Sequence, residues 1–453
     1  MSKRNFILLI IILIIITISI FGFLYFQKGN TLPADDGTDT NFFSEFNPFG
    51  SNKPTATTPT TPVDVSGYQP TNVDTQKLQL MKVSSMGIAG FVIFTKERLK
   101  DVVIPEQTIP TSEEVGTPTS SKKSVGAKKP TPPATEFIPA LRYVEKITGN
   151  IYQTFIDKIE ERKFTTTLIP KVYDAYFGNR GESVVMRYLK GNERTIETFL
   201  GTMPKELLGG DSGGNTEIKG SFLPDNIKDI SISPDGSKMF YLFNSGDNMI
   251  GTILNFSTNK KVQIFDSPFT EWISQWPNSG TTGAIALSTK PSANVPGYMY
   301  KMNETGKNLT KILGDINGLT TQTSPNGKLV LYSDNNLFLN VYDTNTMNSS
   351  VLGIRTLPEK CVWGKLGDSI YCAVPKSIEA GDYPDTWYQG EVSFSDQFWK
   401  IDIKTGNATI LIDPLAVEKG EEVDGTKLTL DSGENYLFFV NKKDNFLWKL
   451  NLK

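Results

Sequence analysis

Ser233-Pro234-Asp235-Gly236 runs directly into an apolar strand at residues 238–243, and Ser324-Pro325-Asn326-Gly327 does the same before residues 328–332. Four more Gly-bearing turns precede comparable runs: Asn179-Arg180-Gly181, Asn278-Ser279-Gly280, Leu366-Gly367-Asp368 and Asp431-Ser432-Gly433. With these glycines as markers the units lie about 40 to 66 residues apart, and roughly 40 to 45 residues is the period of a four-stranded propeller blade with loops filling the longer intervals. A unit this small cannot bury its own apolar face and must stack on its neighbours.

Each unit repeats one order: an inner strand ending at the turn, a second strand, a third carrying an aromatic residue, and a polar outer strand. Ile227 to Ser233, Lys238 to Phe243, Met249 to Phe256 and Lys261 to Phe265 form one set. The second strands, such as Val184-Val185-Met186 and Leu437-Phe438-Phe439, are apolar without alternation, as expected for two-sided burial between stacked sheets.

Six turns mark six blades, and a seventh is assembled upstream from Ile88 to Phe94, Arg142 to Lys146, Asn150 to Ile156 and Lys163 to Leu168. The last unit then stops one strand short, while Leu78 to Val83 is left over. The leftover strand is expected to complete the carboxy-terminal blade, closing the ring and removing its exposed edges. The fold class predicted is all-β, a seven-bladed β-propeller over residues 78–453, preceded by one transmembrane helix and a disordered linker.

The Ser-Pro-Asp-Gly and Ser-Pro-Asn-Gly turns, with unit ends such as Asp402-Ile403-Lys404-Thr405-Gly406, resemble the WD40-like repeats of bacterial β-propellers of the TolB type. The resemblance spans most of residues 78–453 and implies fold rather than function. Two turns depart from it: Phe177-Gly178-Asn179-Arg180-Gly181 and Gly364-Lys365-Leu366-Gly367. TolB-type proteins are typically soluble in the periplasm, whereas this chain carries an apolar amino-terminal segment, so that family's partners are not carried over.

That segment runs uncharged from Phe6 to Phe26. At about 1.5 Å per residue it spans about 30 Å, the hydrocarbon thickness of a bilayer. Lys3 and Arg4 precede it and Asp35, Asp36, Asp39 and Glu45 follow, so the positive-inside rule leaves the amino terminus cytoplasmic and the propeller outside. A cleaved signal peptide is disfavoured by the bulky exit Leu24-Tyr25-Phe26-Gln27 and by the length of the run. Residues 1–28 are therefore read as a signal anchor and residues 29–77, rich in Thr and Pro, as a disordered stalk. A second Pro- and Lys-rich tract, about residues 105–139, is read as a disordered insertion within the propeller.

Composition excludes several chemistries. The chain has no histidine, which removes the commonest general base and the centre of a Ser-His-Asp triad. It has no phosphate loop, no Cys/His cluster and no EF-hand loop, so no cofactor or metal is expected. A formal charge of -3 without a basic block argues against nucleic acid. The two cysteines, Cys361 and Cys372, flank a predicted hairpin and are either a disulfide, suited to an oxidising compartment, or two buried thiols.

The least repeat-like stretch in the ring is residues 377–396, between the second and third strands of one blade. It offers Asp382, Tyr383, Asp385, Trp387, Tyr388 and Asp396 as candidate binding residues, because aromatic rings beside carboxylates suit stacking on sugars or capture of a peptide. The competing reading has Trp387 and Tyr388 anchoring the loop on the propeller. No catalytic residue is assigned. The expectation is a noncatalytic, membrane-tethered binding or scaffold module for an envelope protein or cell-surface polymer. A carboxylate-dependent glycoside hydrolase is the alternative, and a self-assembling surface protein a third.

Overall fold

Seven four-stranded sheets follow one another along the chain, every neighbouring pair of strands antiparallel. They are seen in a computed structural model that describes residues 80–100, 134–206, 208, 216–278, 284–417 and 419–453. The first strands of blades 1 to 7 are Ile88–Leu99, Val172–Gly178, Ile227–Ile232, Trp272–Asn278, Thr320–Thr323, Cys361–Trp363 and Gly425–Leu430. First strands of adjacent blades touch one another, so they line the centre of a ring.

Local chemistry makes the repeats. Gly236 donates its amide to the Ser233 carbonyl at 2.8 Å and sits at φ 70°, in the left-handed region where a residue without Cβ is favoured. Ser233 Oγ accepts the Lys238 amide at 2.9 Å, so the side chain completes what the tight turn leaves unpaired. Gly327 repeats this geometry after Ser324. Blade 7 differs: the left-handed φ falls on Glu434 rather than on Gly433. The Gly280 turn of blade 4 lies outside the described residues.

Second strands are buried on both faces, as Met239, Phe240, Tyr241 and Leu242 show at no more than 2 % exposure. An apolar cluster fills each of the seven junctions between blades. Closure of the ring is one of them: Ile88, Leu141 and Tyr143 of blade 1 pack on Phe438, Val440 and Leu447 of blade 7. The leftover amino-terminal strand does what the strand count demanded. Leu80–Lys82 pairs with Leu447–Asn451, with Leu80 opposite Leu450 and Lys82 opposite Trp448.

Polar side chains stitch the same seven junctions near the axis. Each reaches a neighbouring blade's main chain: Arg142 to the Gly181 carbonyl, Arg187 to Ile227, Gln322 to Cys361, Lys360 to Gly425 and Lys427 to Ala89. Gln275 reaches the Thr321 carbonyl at 2.5 Å, and Asp229 accepts the Ser274 amide at 2.6 Å. Buried main-chain groups at the blade edges are thereby satisfied without any strand linking the sheets.

Boundaries move in blade 1, whose first strand runs on to Leu99 instead of ending at Phe94. The second strand of blade 1 is Thr135–Glu145, so residues 135–139 belong to a strand, not to the insertion read over 105–139; residues 101–133 lie outside the described residues. Its Phe137-Ile138 pair is held by cross-strand contact with Glu97 and Lys96, a tertiary cue absent from the local Pro-rich composition. The fourth strand of blade 1 is only Arg162–Lys163, because Phe164 turns into the core between blades 1 and 2. Among the described residues no helix is long and apolar enough to cross a membrane. The anchor read from Phe6 to Phe26 and the stalk lie outside them.

Antiparallel order fixes two faces. Connections between first and second strands, including the Gly-bearing turns, lie on one face, hereafter the turn face. Connections between second and third strands, and from one blade to the next, lie on the other. Strand Leu80–Lys82 enters from the turn face.

Candidate functional site: the channel and the insertion over one mouth

The segment joining Ser369–Pro375 to Asp396–Asp402 in blade 6 lies on the face opposite the turns and reaches three other blades. Asp385 Oδ2 accepts the Ala293 amide of blade 4 at 2.6 Å. Tyr383, Trp387 and Phe394 pack on Leu337 and Leu357, which flank strands of blade 5. The Lys442 ammonium of blade 7 lies 4.2 Å from the Trp387 ring centre and donates to the Trp387 carbonyl. A five-residue helix, Asp385–Gln389, aims these side chains, and Gly390 at φ 81° ends it.

Beneath the insertion sits a fully buried charge cluster. Lys360 Nζ donates to Asp396 Oδ2 at 2.7 Å, to Asp424, and to the Gly425 carbonyl at 3.1 Å. The rings of Trp387 and Phe394 flank the ammonium, each 5.3 Å away. Asp424 Oδ2 accepts three further bonds: from Trp387 Nε1 at 2.9 Å, Ser393 Oγ at 3.1 Å and the Phe394 amide at 3.1 Å. Burial pushes the Asp396 carboxyl up to about 6 in spite of Lys360, and its buried Oδ1 has no partner among the described residues. Burial also opposes ionisation of Asp424, yet Lys360 and the donated hydrogen bonds outweigh it and hold that carboxyl below its ordinary value. For Lys360 the two carboxylates likewise overcome desolvation and raise its pKa.

The structure therefore divides the six candidate residues. Tyr383, Trp387 and Asp396 are buried at 3 %, 3 % and 1 % exposure and tie the insertion to the ring. Asp385 is spent on Ala293, and Asp382 is exposed, with its carbonyl accepting the Thr386 amide. Tyr388 alone is tied to a residue of the channel wall: 40 % exposed, it donates its hydroxyl to Glu359 Oε1 at 2.6 Å. Of the two readings of the cysteines the disulfide is the one found. Cys361 and Cys372 stand directly opposite in the blade 6 ladder and are bonded.

Glu359 in turn lines a cavity of about 360 Å³ in the channel, with Ser274, Gln275, Thr321, Gln322 and Lys427. Across the channel, burial alone would raise the Asp174 pKa. Lys427 at 2.8 Å and Arg187 at 3.2 Å reverse the direction and keep it ionised. Asp229 goes the other way: burial raises it although Ser274 donates both its amide and its hydroxyl. Desolvation by the protein surrounding the channel raises the Glu359 carboxyl, although the residue is exposed, and the Tyr388 hydroxyl, Lys360 and Lys442 oppose the shift. The channel thus offers Ser, Thr and Gln groups that donate and accept, with Asp174 paired to Lys427 and Arg187. Among the described residues no group of three His, Cys, Asp or Glu could hold a metal ion.

Glu359, Lys360 and the channel glutamines carry no local motif. The glutamines do sit in first strands that are polar where burial would otherwise select apolar residues, as in Thr320-Thr321-Gln322-Thr323, whereas Glu359 and Lys360 lie in the short turn Pro358–Lys360 before a first strand and have no such signal.

No protein-family model matches the chain, and no curated protein does either. Among solved structures it is similar to an oligogalacturonate lyase from Vibrio parahaemolyticus, at 9% identity and TM-score 0.48, covering 69% of this chain and 86% of that one. It is also similar to TolB from Acinetobacter baumannii, at 11% identity and TM-score 0.37, covering 68% of this chain and 61% of that one. The propeller domain of the Trilobed protease from Pyrococcus furiosus is a third, at 9% identity and TM-score 0.43, with 70% and 90% covered. The architecture rests on the strand pairing itself: the chain is an all-β protein built as a seven-bladed β-propeller whose last blade is completed by an amino-terminal strand.

Proposed function

We propose that this protein is a noncatalytic binding module, tethered to the membrane through residues 6–26 and displayed outside the cytoplasm. Its partner is an envelope protein or a cell-surface polymer, held at the channel mouth beside the insertion. The observation that carries the reading is the Tyr388–Glu359 pair, an aromatic hydroxyl bonded to a carboxylate at 2.6 Å where the insertion meets a polar cavity. Such a mouth pairs ring surface with hydrogen-bonding groups, the combination that recognises sugars and peptide backbones.

Two further observations support it. The Cys361–Cys372 disulfide suits an oxidising compartment. Strand Leu80–Lys82 enters from the turn face, so the insertion lies on the face away from the amino-terminal segment's entry.

A carboxylate-dependent glycosidase needs two carboxyl groups facing each other across a cavity, about 5 to 10 Å apart, one of them free to donate a proton. Here Asp396 and Asp424 share the buried Lys360, Asp174 is paired with Lys427 and Arg187, and Glu359 accepts from Tyr388. Three of the carboxylates, Asp174, Asp396 and Asp424, are thus committed to cations, which favours binding over hydrolysis.

The test uses the full-length chain in detergent micelles as bait against solubilised envelope and purified cell-wall polymer. Specific capture should weaken about tenfold in Tyr388→Phe or Glu359→Gln. Capture unchanged in both variants overturns the site, and polysaccharide turnover lost in Glu359→Gln overturns the noncatalytic reading.

A further inference from the structure

The first strand of blade 1 is 12 residues long, against three to seven in the other blades. Its excess, with the start of the second strand, forms a two-stranded arm on the turn face. The pairing runs from Phe94 opposite Ala140 to Leu99 opposite Thr135. Among the described residues the main chain of residues 92–99 hydrogen-bonds only to that second strand, and none of them pairs with its other edge. An open strand edge is a row of unpaired amides and carbonyls, a template for another strand.

A groove of about 630 Å³ runs between this arm and the turns of blades 2 and 3. Four consecutive residues of the first strand, Val92 to Thr95, the last two of them in the arm, border it, and Phe137, Phe177 and Pro234 supply apolar walls. Phe137 is 71 % exposed. The one cation lining it, Arg180, is exposed and makes no ion pair among the described residues. By contrast, the arm's own cations are committed: Lys96 to Glu206, Arg98 to Glu136 and Asp157.

Arg180 belongs to a turn that breaks the repeat. Where blades 3 and 5 have Pro-Asp and Pro-Asn, this turn has Asn179-Arg180, both in the left-handed region at φ 49° and 54° ahead of Gly181 at φ 85°. Non-glycine residues occupy that region at a cost and only where the surroundings hold them. Two bonds hold them here: the Asn179 amide donates to the Gly236 carbonyl at 2.5 Å, and Arg142 donates to the Gly181 carbonyl at 2.7 Å. The strained turn presents a guanidinium to a groove with apolar walls whose one carboxylate, Asp235, already accepts from Ser233 and Ser237.

We infer that this groove is a peptide-docking site. Its occupant is an extended segment of a partner protein that adds a strand to the edge of residues 93–99. Apolar side chains at alternate positions meet Phe137 and Pro234, and one carboxylate pairs with Arg180. Main-chain bonds give affinity, while the apolar walls and the guanidinium select sequence. The site lies on the face opposite the insertion, so its failure leaves the channel reading untouched.

A library of random 12-residue peptides, displayed on phage and selected on the full-length chain in detergent micelles, tests this. Enriched sequences should alternate apolar residues and share an Asp or Glu at one position. A synthesised representative should protect from hydrogen exchange those alternate amides of residues 93–99 that point away from the second strand. Arg180→Gln should weaken it about tenfold and erase its advantage over the counterpart with Gln in place of its acid. Phe137→Ser, at an exposed position, should weaken it as well. An analogue N-methylated at alternate amides should not bind. Several results would overturn the proposal: no enrichment, no common acid, binding indifferent to both substitutions, or protection elsewhere. Concentration-dependent pairing of two copies of the chain through residues 93–99 would overturn it too, giving the edge to a second copy.

Discussion

Lys360 Nζ and Asp396 Oδ2 stand 2.7 Å apart with neither side chain exposed to solvent at all. With Asp424 on its other side, this ammonium joins the entry to blade 6, the third strand of the same blade, the entry to blade 7 and, through Trp387, the insertion. A buried ion cluster contributes little net stability over an apolar replacement of the whole set, but removing one partner strands the others.

Lys360→Met leaves two carboxylates buried without a cation. Loss of one partner of a buried pair costs about 3–5 kcal/mol. Urea unfolding of the purified chain should show that loss, together with a red shift of tryptophan emission as Trp387 leaves its site. A loss under about 1 kcal/mol would mean that the cluster is not what holds the insertion.

The same cluster gives a pH dependence. With the Asp396 carboxyl raised from the ordinary 3.8 to about 6, the folded state binds its proton more tightly than the unfolded state. Its contribution to stability is full below the unfolded value and is lost as pH rises through about 6. Relative to Asp396→Asn, wild-type unfolding free energy should fall across that window, with a slope of at most about 1.4 kcal/mol per pH unit, one proton's worth. Parallel curves for the two proteins from pH 4 to 7 would contradict the assignment.

Cys361 and Cys372 close a loop with a sequence separation of 11. Titration of the denatured, unreduced chain should find no free thiol. Cys361→Ala with Cys372→Ala should cost about 3 kcal/mol, the scale of a short closed loop in the chain-entropy picture. Two reactive thiols in the unreduced protein would remove this support for an oxidising compartment.

What could be read in the sequence was local or countable. Ser233-Pro234-Asp235-Gly236 specifies its turn within four residues, and the missing strand of the last blade follows from counting, so Leu80 finds Leu450 as expected. The insertion was visible as an interruption between two strands. Its mode of attachment was not, because Lys360 meets Asp396 and Asp424 from 36 and 64 residues away. Tyr388 and Trp387 are neighbours with opposite fates, one toward the channel and one into the core. Helix phase over a five-residue turn depends on what packs beneath it, and nothing in Asp385-Thr386-Trp387-Tyr388-Gln389 states that alone. The arm was hidden for a similar reason: Pro-rich composition masks residues 135–139, whose strand character comes from pairing with residues 95–99.

That the partner meets the insertion-bearing face is the reading proposed above. Its most direct test is photo-crosslinking in the living cell, with benzoylphenylalanine placed at Gln389, exposed on the insertion, or at Thr346, exposed on the turn face of blade 5. A discrete adduct is expected from position 389, weakened by Glu359→Gln, and none from position 346. Adducts from both positions alike, or from neither, would contradict it.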